Sequence, residues 1–349
     1  PDNPAMRFFH FAFLLLGISL PALAEFRPLG LVLTSDNDAI FSTDPSRFYM
    51  YTDRHFEGVN SKPWQGGTYG FSRNQRRTDI GIVYTRLHEG IDIRPVHRDN
   101  SNNPLDKIRS IADGTVVHVN NSSSHSNYGR YIVVHHDWGY GPFFSLYAHL
   151  GKVNTTRGQE VKAGETIGIM GYTGAGINRE RAHVHLELCM IASDRFPGWY
   201  DRHFTSENRH GLFNGFNLIG MDIAGLYIEH RKDPDITIPS FLLEQNEAYY
   251  KVIVPNHGQV DILRRYPWLL EDLDRGSNPP SWEFSFAATG VPLRARPNSK
   301  STNVPIVSYV KHSQVDHSYM SSARITGTGN NARLTPSGSR FIQLISDSF

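Results

Sequence analysis

Two histidines, His183 and His185, stand in a stretch where polar and apolar residues alternate, Ala-His-Val-His-Leu-Glu-Leu. Alternation of this kind is typical of a β-strand with one apolar face. Because successive side chains of a strand point to opposite faces, both imidazoles are expected on the same face. Taken alone, the pair fits a metal site, but it also fits two ordinary surface histidines.

A second pair of potential metal ligands, His88 and Asp92, lies four positions apart. On a single strand this spacing also keeps both side chains on one face. Zinc prefers histidine nitrogen and carboxylate oxygen, and a catalytic zinc ion keeps about three protein ligands and one open position for water. His88, Asp92 and one histidine of the His-x-His pair would supply that set. The residues themselves therefore predict a metal-assisted amide hydrolase.

Several motifs in this order resemble the M23 family of zinc metallopeptidases, the lysostaphin/LytM-type endopeptidases. The family pattern is His-x-x-x-Asp, then Tyr-x-His-Leu, then His-x-His. Here these motifs are His88 to Asp92, Tyr147 to Leu150, and His183 to His185. Further stretches stand between them in the family's order, namely Asp113-Gly114, Tyr128-Gly129, 158–168 and 171–174. The resemblance covers about residues 80–192.

The resemblance implies that His88, Asp92 and His185 bind one zinc ion per chain, and that His149 and His183 are catalytic. The spacing alone does not decide which histidine of the His-x-His pair binds the metal. A zinc ion lowers the pKa of a bound water towards ~7 and polarises the scissile carbonyl. The two catalytic histidines would move protons and stabilise the developing negative charge. The implied substrate is a peptide of peptidoglycan, in a cross-link or a stem peptide.

Two alternatives to a peptidoglycan endopeptidase remain open on the sequence. One is a catalytically inert relative that binds the wall or activates another hydrolase. The other is a zinc peptidase that acts on another exported peptide. Because the chain keeps all three implied ligands and both catalytic histidines, the first alternative is the less favoured.

The composition fits an ordinary globular protein, with 39% hydrophobic and 20% charged residues among 349. The net charge of +1 gives no support for a nucleic-acid partner, which usually requires a strongly basic surface. Cys189 is the single cysteine, which excludes an internal disulfide, and we interpret it as a small buried hydrophobic residue. No particular oligomeric state is indicated.

The first residues predict export. Residues 6–24 have the pattern of a secretory signal peptide, in which Arg7 precedes the apolar run Phe8–Leu20 and Ala22-Leu23-Ala24 forms a small-x-small cleavage site. We interpret residues 1–5 as extra residues upstream of Met6. The apolar run is short for a membrane span of ~20 residues. We therefore expect cleavage after Ala24, no stable membrane span afterwards, and a periplasmic, secreted or wall-associated protein.

The predicted fold is mainly β, with an antiparallel LytM/lysostaphin-type catalytic core over residues 81–192. Short β-rich runs bounded by turn residues predict its strands at 81–84, 90–93, 114–120, 130–136, 143–150, 166–170 and 183–190. Residues 25–80 form an N-terminal segment. In some members of the resembled family such a segment covers the active site and fills the open zinc position, and here Asn60 and Asn74 are candidates for that role.

Residues 193–275 are predicted to form a helical addition, with helices over about 210–230, 238–250 and 261–273. The Pro- and Ser-containing stretch 274–281 is interpreted as a linker. Residues 282–349 are then a small C-terminal β-rich extension that begins with the alternating strand 282–286.

Overall fold

The computed structural model describes residues 27–258, 260–271 and 278–349. The predicted signal peptide and part of the predicted linker 274–281 lie outside the described residues. In the described residues the fold is mainly β, and the ladders between its strands are antiparallel, as the sequence predicts.

The strands follow one another along the whole described chain. In chain order they are β1 (Arg54–Phe56), β2 (Val59–Ser61), β3 (Gly70–Thr78), β4 (Gly81–His88), β5 (Ile91–Ile93), β6 (Lys107–Arg109), β7 (Gly114–Asn120), β8 (Tyr131–Asp137), β9 (Pro142–Ala148), β10 (Leu150–Val153), β11 (Glu160–Val161), β12 (Thr166–Met170), β13 (Val184–Ile191), β14 (Leu218–Met221), β15 (Tyr250–Pro255), β16 (Ser281–Phe286), β17 (Pro292–Asn298), β18 (Ile306–Val310), β19 (Ile325–Thr326) and β20 (Arg333–Leu334).

The α-helices lie after the core strands. They are α1 (Phe196–His203), α2 (Ile223–Lys232), α3 (Ile238–Gln245), α4 (Asp261–Arg265) and α5 (Pro336–Ser346). Short 3-10 helices cover Ala39–Phe41, Pro45–Arg47, Trp64–Gly67, Gly211–Phe213, Gly215–Asn217, Pro267–Leu269, His317–Tyr319 and Gly329–Asn331. None of the helices in the described part of the chain is long and apolar enough to cross a membrane.

The largest sheet has the strand order β11-β7-β8-β9-β13-β14, and β5 also pairs with β13. The strand β13 is buried along its whole length. Its residues Val184, Leu186 and Leu188 enter the main apolar core, whereas Cys189 and Ile191 enter a smaller apolar cluster. This division follows the alternation in the sequence and leaves the two histidines of the His-x-His motif on one face.

The predicted core strands agree with the structure except near the motifs. The bounds predicted for β7 and β12 match those observed. The single strand predicted over 143–150 is divided into β9 and β10 at His149, which has a positive φ of 61°. The strand predicted over 81–84 continues to His88, because it pairs with β3 along its length as an antiparallel hairpin.

The prediction that residues 193–275 are helical is only partly correct. Residues 218–221 form β14, which extends the large sheet beside β13. Gly220 permits the backbone of β14 to lie close to Glu89, since a Cβ at this position would be 2.1 Å from the carbonyl oxygen of Glu89. The helix predicted over 238–250 ends at Gln245, and the helix predicted over 261–273 ends at Arg265 before Pro267.

The C-terminal strands do not stand apart from the segment before them. Their sheet has the order β17-β16-β15-β18, and β15 comes from residues 250–255, within the predicted helical addition. The predicted linker 274–281 therefore lies in the chain between two strands that pair with each other, and its last residue begins the second of them. The β-branched run Val-Ile-Val in β15 favours a strand once these neighbours are available.

Candidate metal centre

The three ligands that the sequence implies converge on one point. Nε2 of His88 lies 3.0 Å from Nδ1 of His185 and 3.1 Å from Oδ1 of Asp92. Nδ1 of His185 lies 2.9 Å from the same oxygen, so the three atoms form a nearly regular triangle. Zinc binds such nitrogen and oxygen atoms at ~2.0–2.2 Å, a distance at which one ion can reach all three corners. The residues present therefore fit a zinc ion.

Strand pairing brings these ligands together. His185 in β13 lies directly opposite Asp92 in β5. His88 ends β4, and β5 begins after a two-residue bend, so the two ligands lie on two consecutive strands and not on a single one. Gly90 allows the bend to lie against β13, because a Cβ there would be 2.3 Å from the carbonyl oxygen of Leu186. The bend keeps both side chains on the same side.

Hydrogen bonds behind the two imidazoles decide which nitrogen can bind a metal. Nδ1 of His88 lies 2.9 Å from the carbonyl oxygen of Thr68, to which it donates its proton. Nε2 of His185 lies 2.7 Å from Oε1 of Glu187. These partners leave Nε2 of His88 and Nδ1 of His185 to face the centre of the triangle. In metal sites, such outer hydrogen bonds fix the tautomer and the orientation of a ligating histidine.

The site is buried and strongly polarised. His88, Asp92 and His185 are 2%, 2% and 6% exposed. Burial alone would raise the pKa of the Asp92 carboxyl, but the neighbouring histidines and Arg73 outweigh it and hold the pKa well below its usual value. Burial opposes protonation of His185, yet hydrogen bonds to Asp92 and Glu187 raise its pKa to about 9. A negative carboxylate therefore remains available as a ligand.

The two histidines implied to be catalytic lie beside the triangle. Nδ1 of His183 donates to the carbonyl oxygen of Arg181 at 2.6 Å, and its Nε2 lies 3.4 Å from Oδ1 of Asp92. Nδ1 of His149 donates to the carbonyl oxygen of Thr173 at 2.8 Å. The ring centroids of the two histidines are 4.8 Å apart. The structure thus brings together all five predicted site residues, His88, Asp92, His149, His183 and His185.

His149 is held in an unusual backbone conformation. Its φ of 61° lies in the left-handed region, which non-glycine residues seldom adopt and which often marks a functional position. Its backbone N–H donates to the carbonyl oxygen of Tyr128. Burial lowers the pKa of His149 well below its usual value, and the imidazoles of His183 and His185 add to this effect. The side chain is therefore neutral at neutral pH.

Glu187 and the Tyr128 hydroxyl also belong to the site, although neither is among the site residues predicted from the sequence. Glu187 is 1% exposed, and burial would raise its pKa, but the hydrogen bond and charge of His185 lower it. Tyr128 donates its hydroxyl to Oε1 of Glu187 at 2.7 Å. The signal for Glu187 was present, because it continues the alternation of the His-x-His strand. Cys189 is fully buried near Glu187, and burial raises the pKa of its thiol well above the usual value.

The asparagines proposed to fill the open metal position lie elsewhere. Oδ1 of Asn60 is 2.7 Å from Nδ1 of His55, in the exposed β1–β2 hairpin. Asn74 accepts a hydrogen bond from Thr85 through its backbone carbonyl. In the described part of the chain, the residue of segment 25–80 whose side chain bonds the ligands is Arg73.

Comparison with known proteins gives a match over the same region. Residues 86–195, roughly a third of the chain, match the family model described as Peptidase family M23. The cell division protein DipM of Caulobacter vibrioides is 31% identical over 88 residues, which cover 25% of this chain and 14% of that protein. This chain therefore matches only a small part of that relative's length.

Solved structures of M23 catalytic domains are also similar. The catalytic domain of the prophage-encoded M23 protein EnpA from Enterococcus faecalis shares 24% identity at a TM-score of 0.25, over 35% of this chain and 75% of that one. The catalytic domain of the antimicrobial peptidase lysostaphin from Staphylococcus simulans shares 22% identity at a TM-score of 0.25, over 40% of this chain and 79% of that one. Residues 86–195 of this chain are therefore similar to peptidase family M23, and the three motifs named above lie within that match.

Proposed function

We propose that this protein is an exported zinc-dependent endopeptidase that hydrolyses peptide bonds in the cross-links or stem peptides of peptidoglycan. The observation that carries the proposal is the triangle of His88 Nε2, Asp92 Oδ1 and His185 Nδ1 beside two further imidazoles. The family match supports a peptidase. The predicted signal peptide supports export, and export agrees with a proposed substrate that lies outside the cytoplasm.

The chain's own residues explain how the amide would be hydrolysed. His88, Asp92 and His185 would hold zinc, which supplies an activated water and polarises the substrate carbonyl. Nδ1 of both His149 and His183 donates to a backbone carbonyl, which leaves Nε2 of each ring as the nitrogen that can take up a proton. Each ring can therefore accept a proton at Nε2 and then donate it to a developing negative oxygen or to the leaving amine.

The test of substrate is digestion of purified sacculi, followed by mass analysis of the released muropeptides. The wild type should open peptide bonds, and the His149→Ala variant should retain zinc while losing this activity. A matched control is His97→Ala, which removes an exposed histidine outside the site and should leave activity unchanged. Intact cross-links and stem peptides after incubation with folded, zinc-loaded wild type would overturn the proposal.

Two companion measurements address the alternative functions. An unbiased panel of peptides would reveal a zinc peptidase with another exported substrate. Stimulation of a second hydrolase by the wild type and by His149→Ala alike would instead identify an activator without catalysis. Export is tested by the N-terminal sequence of the protein recovered outside the cytoplasm, which should begin at Glu25.

A further inference from the structure

Arg73 reaches the proposed metal centre from outside the region that matches family M23. It lies in β3, whereas the matched region begins at residue 86. Its Nη2 lies 2.5 Å from Oδ2 of Asp92 and 3.0 Å from Nε2 of His88. Its Nε donates to the carbonyl oxygen of Gly66 at 2.9 Å. The guanidinium is thus tied to a backbone carbonyl on one side and to a proposed metal ligand on the other.

The local backbone directs Arg73 towards this site. The β3–β4 pairing shifts register between Phe71 and Arg73, which is the signature of a β-bulge. A bulge changes the direction of a side chain relative to the regular strand. The neighbouring arginines of the same strand point elsewhere, since Arg76 bonds the hydroxyl of Tyr319 and Arg77 pairs with the exposed carboxylate of Glu57.

Arg73 separates the roles of the two oxygens of Asp92. Oδ1 faces the nitrogens of His88 and His185, at 3.1 and 2.9 Å. Oδ2 faces the guanidinium in an ion pair whose side chains are 3% exposed for Asp92 and 26% for Arg73. A charge-assisted hydrogen bond of this kind is short and directional. It leaves one carboxylate oxygen, Oδ1, for a metal ion.

We propose that Arg73 is a positioning residue that holds Asp92 as a single-oxygen metal ligand, so that the N-terminal β3–β4 hairpin completes the metal centre. This inference rests on the proposed zinc site. Without the guanidinium, the carboxylate is free to rotate or to offer both oxygens. Loss of a hydrogen-bond partner behind a metal ligand typically costs about 10–100-fold in metal affinity.

The contact of Arg73 with His88 acts in the opposite direction on zinc binding, and the experiment separates the two effects. Nη2 of Arg73 approaches the same nitrogen that a metal ion would use. If this contact dominated, the arginine would compete with zinc, and its removal would tighten zinc binding. If the contact with Asp92 dominates, as proposed, removal weakens zinc binding.

The test is the zinc affinity of the full chain, measured by competition with a chromogenic chelator. Arg73→Gln should bind zinc about 10–100-fold more weakly than wild type. Arg73→Lys should lose less, because it keeps the positive charge but not the forked donor geometry. Arg77→Gln is the matched control on the same strand and should bind zinc as wild type does. Circular dichroism of the metal-free proteins checks that each variant is folded.

The outcomes distinguish this inference from the proposed function. Unchanged or tighter zinc binding by folded Arg73→Gln, with normal binding by wild type, overturns the inference alone. If Arg73→Gln does not fold, the same comparison is made with Arg73→Lys. Absence of zinc binding by the wild type overturns both proposals. Cobalt-loaded protein gives a second readout. In Arg73→Gln a carboxylate that offers both oxygens raises the coordination number of the ion, so the visible absorption should be weaker than in cobalt-loaded wild type.

Discussion

Oε1 of Glu187 lies 2.7 Å from Nε2 of His185, two residues earlier on the same strand. Both side chains are buried, at 1% and 6% exposure. Tyr128 donates to the same glutamate oxygen from a neighbouring loop. The strand thus carries a proposed metal ligand and the carboxylate that orients it on one face, with the tyrosine fixing that carboxylate.

Replacing Glu187 should therefore weaken zinc binding even though Glu187 is outside the ligand triangle. Glu187→Ala removes the acceptor for Nε2 of His185, so the ring is free to rotate or change tautomer. We expect a loss of about 10–100-fold in zinc affinity, measured by chelator competition. Glu187→Gln keeps an oxygen acceptor and should lose less. Equal zinc affinity in wild type and folded Glu187→Ala would contradict this role.

The five predicted site residues lie close together in the structure, and their proximity follows from ordered motifs in short alternating strands. The pairing of His185 with Asp92 follows once β5 and β13 are adjacent. Glu187 was accessible to the same reasoning, since it extends the alternation, but carboxylates in a strand seldom signal a role by themselves. Arg73 was not accessible, because its contact depends on a bulge and on the packing of a separate hairpin.

The sequence predicts the fold less well where neighbouring strands decide the structure. The helix predicted over 238–250 ends earlier, and β15 begins at Tyr250. This strand forms because β16 and β18 pair with its two edges. The break at His149 was also missed. Its positive φ depends on the contacts of its ring and backbone with the loops around Thr173 and Tyr128, which are distant in the chain.

Gly129 should be required for the loop that supports His149. Its φ is 62°, and a Cβ would lie 2.4 Å from the carbonyl carbon of Thr173. Gly129→Ala adds both backbone strain and a steric clash with Thr173. It should therefore reduce the free energy of unfolding by about 1–3 kcal/mol more than a glycine substitution that adds backbone strain alone. It should also lower peptidase activity, because Thr173 accepts the hydrogen bond from His149.

The control for this prediction is Gly158→Ala. Gly158 has a φ of +90°, but no atom lies within 4 Å of its hypothetical Cβ. That variant measures the cost of the backbone conformation without the collision. Urea unfolding of both variants gives the comparison, and equal losses of stability would show that the contact with Thr173 does not matter.

Buried His136 should make the folded protein less stable in mild acid. Its Nδ1 donates to the carbonyl oxygen of Asp113, Nε2 lies 2.7 Å from the hydroxyl of Ser145, and the ring stacks on Trp138. Burial lowers its pKa from 6.5 to about 4. Between these values the unfolded chain binds a proton and the folded protein does not, so stability decreases as the pH falls from about 6.5 to about 4.

The contribution of His136 appears in the slope of the free energy of unfolding against pH. One such group changes the free energy of unfolding by at most ~1.4 kcal/mol per pH unit within that window. Urea unfolding across the window should show a smaller slope for His136→Gln than for wild type. His97→Gln, which changes an exposed histidine, should keep the wild-type slope. The same slope in His136→Gln and wild type would exclude this histidine as a source of the pH dependence.

The central claim is that His88, Asp92 and His185 form a zinc site. Elemental analysis of the purified wild type and of His185→Ala, each shown to be folded by circular dichroism, tests it most directly. We expect about one zinc ion per wild-type chain and none in His185→Ala, because the variant lacks one of three ligands. A folded wild type that holds no zinc even after zinc is added back, or a His185→Ala variant that binds it equally, would contradict a zinc site formed by these three residues.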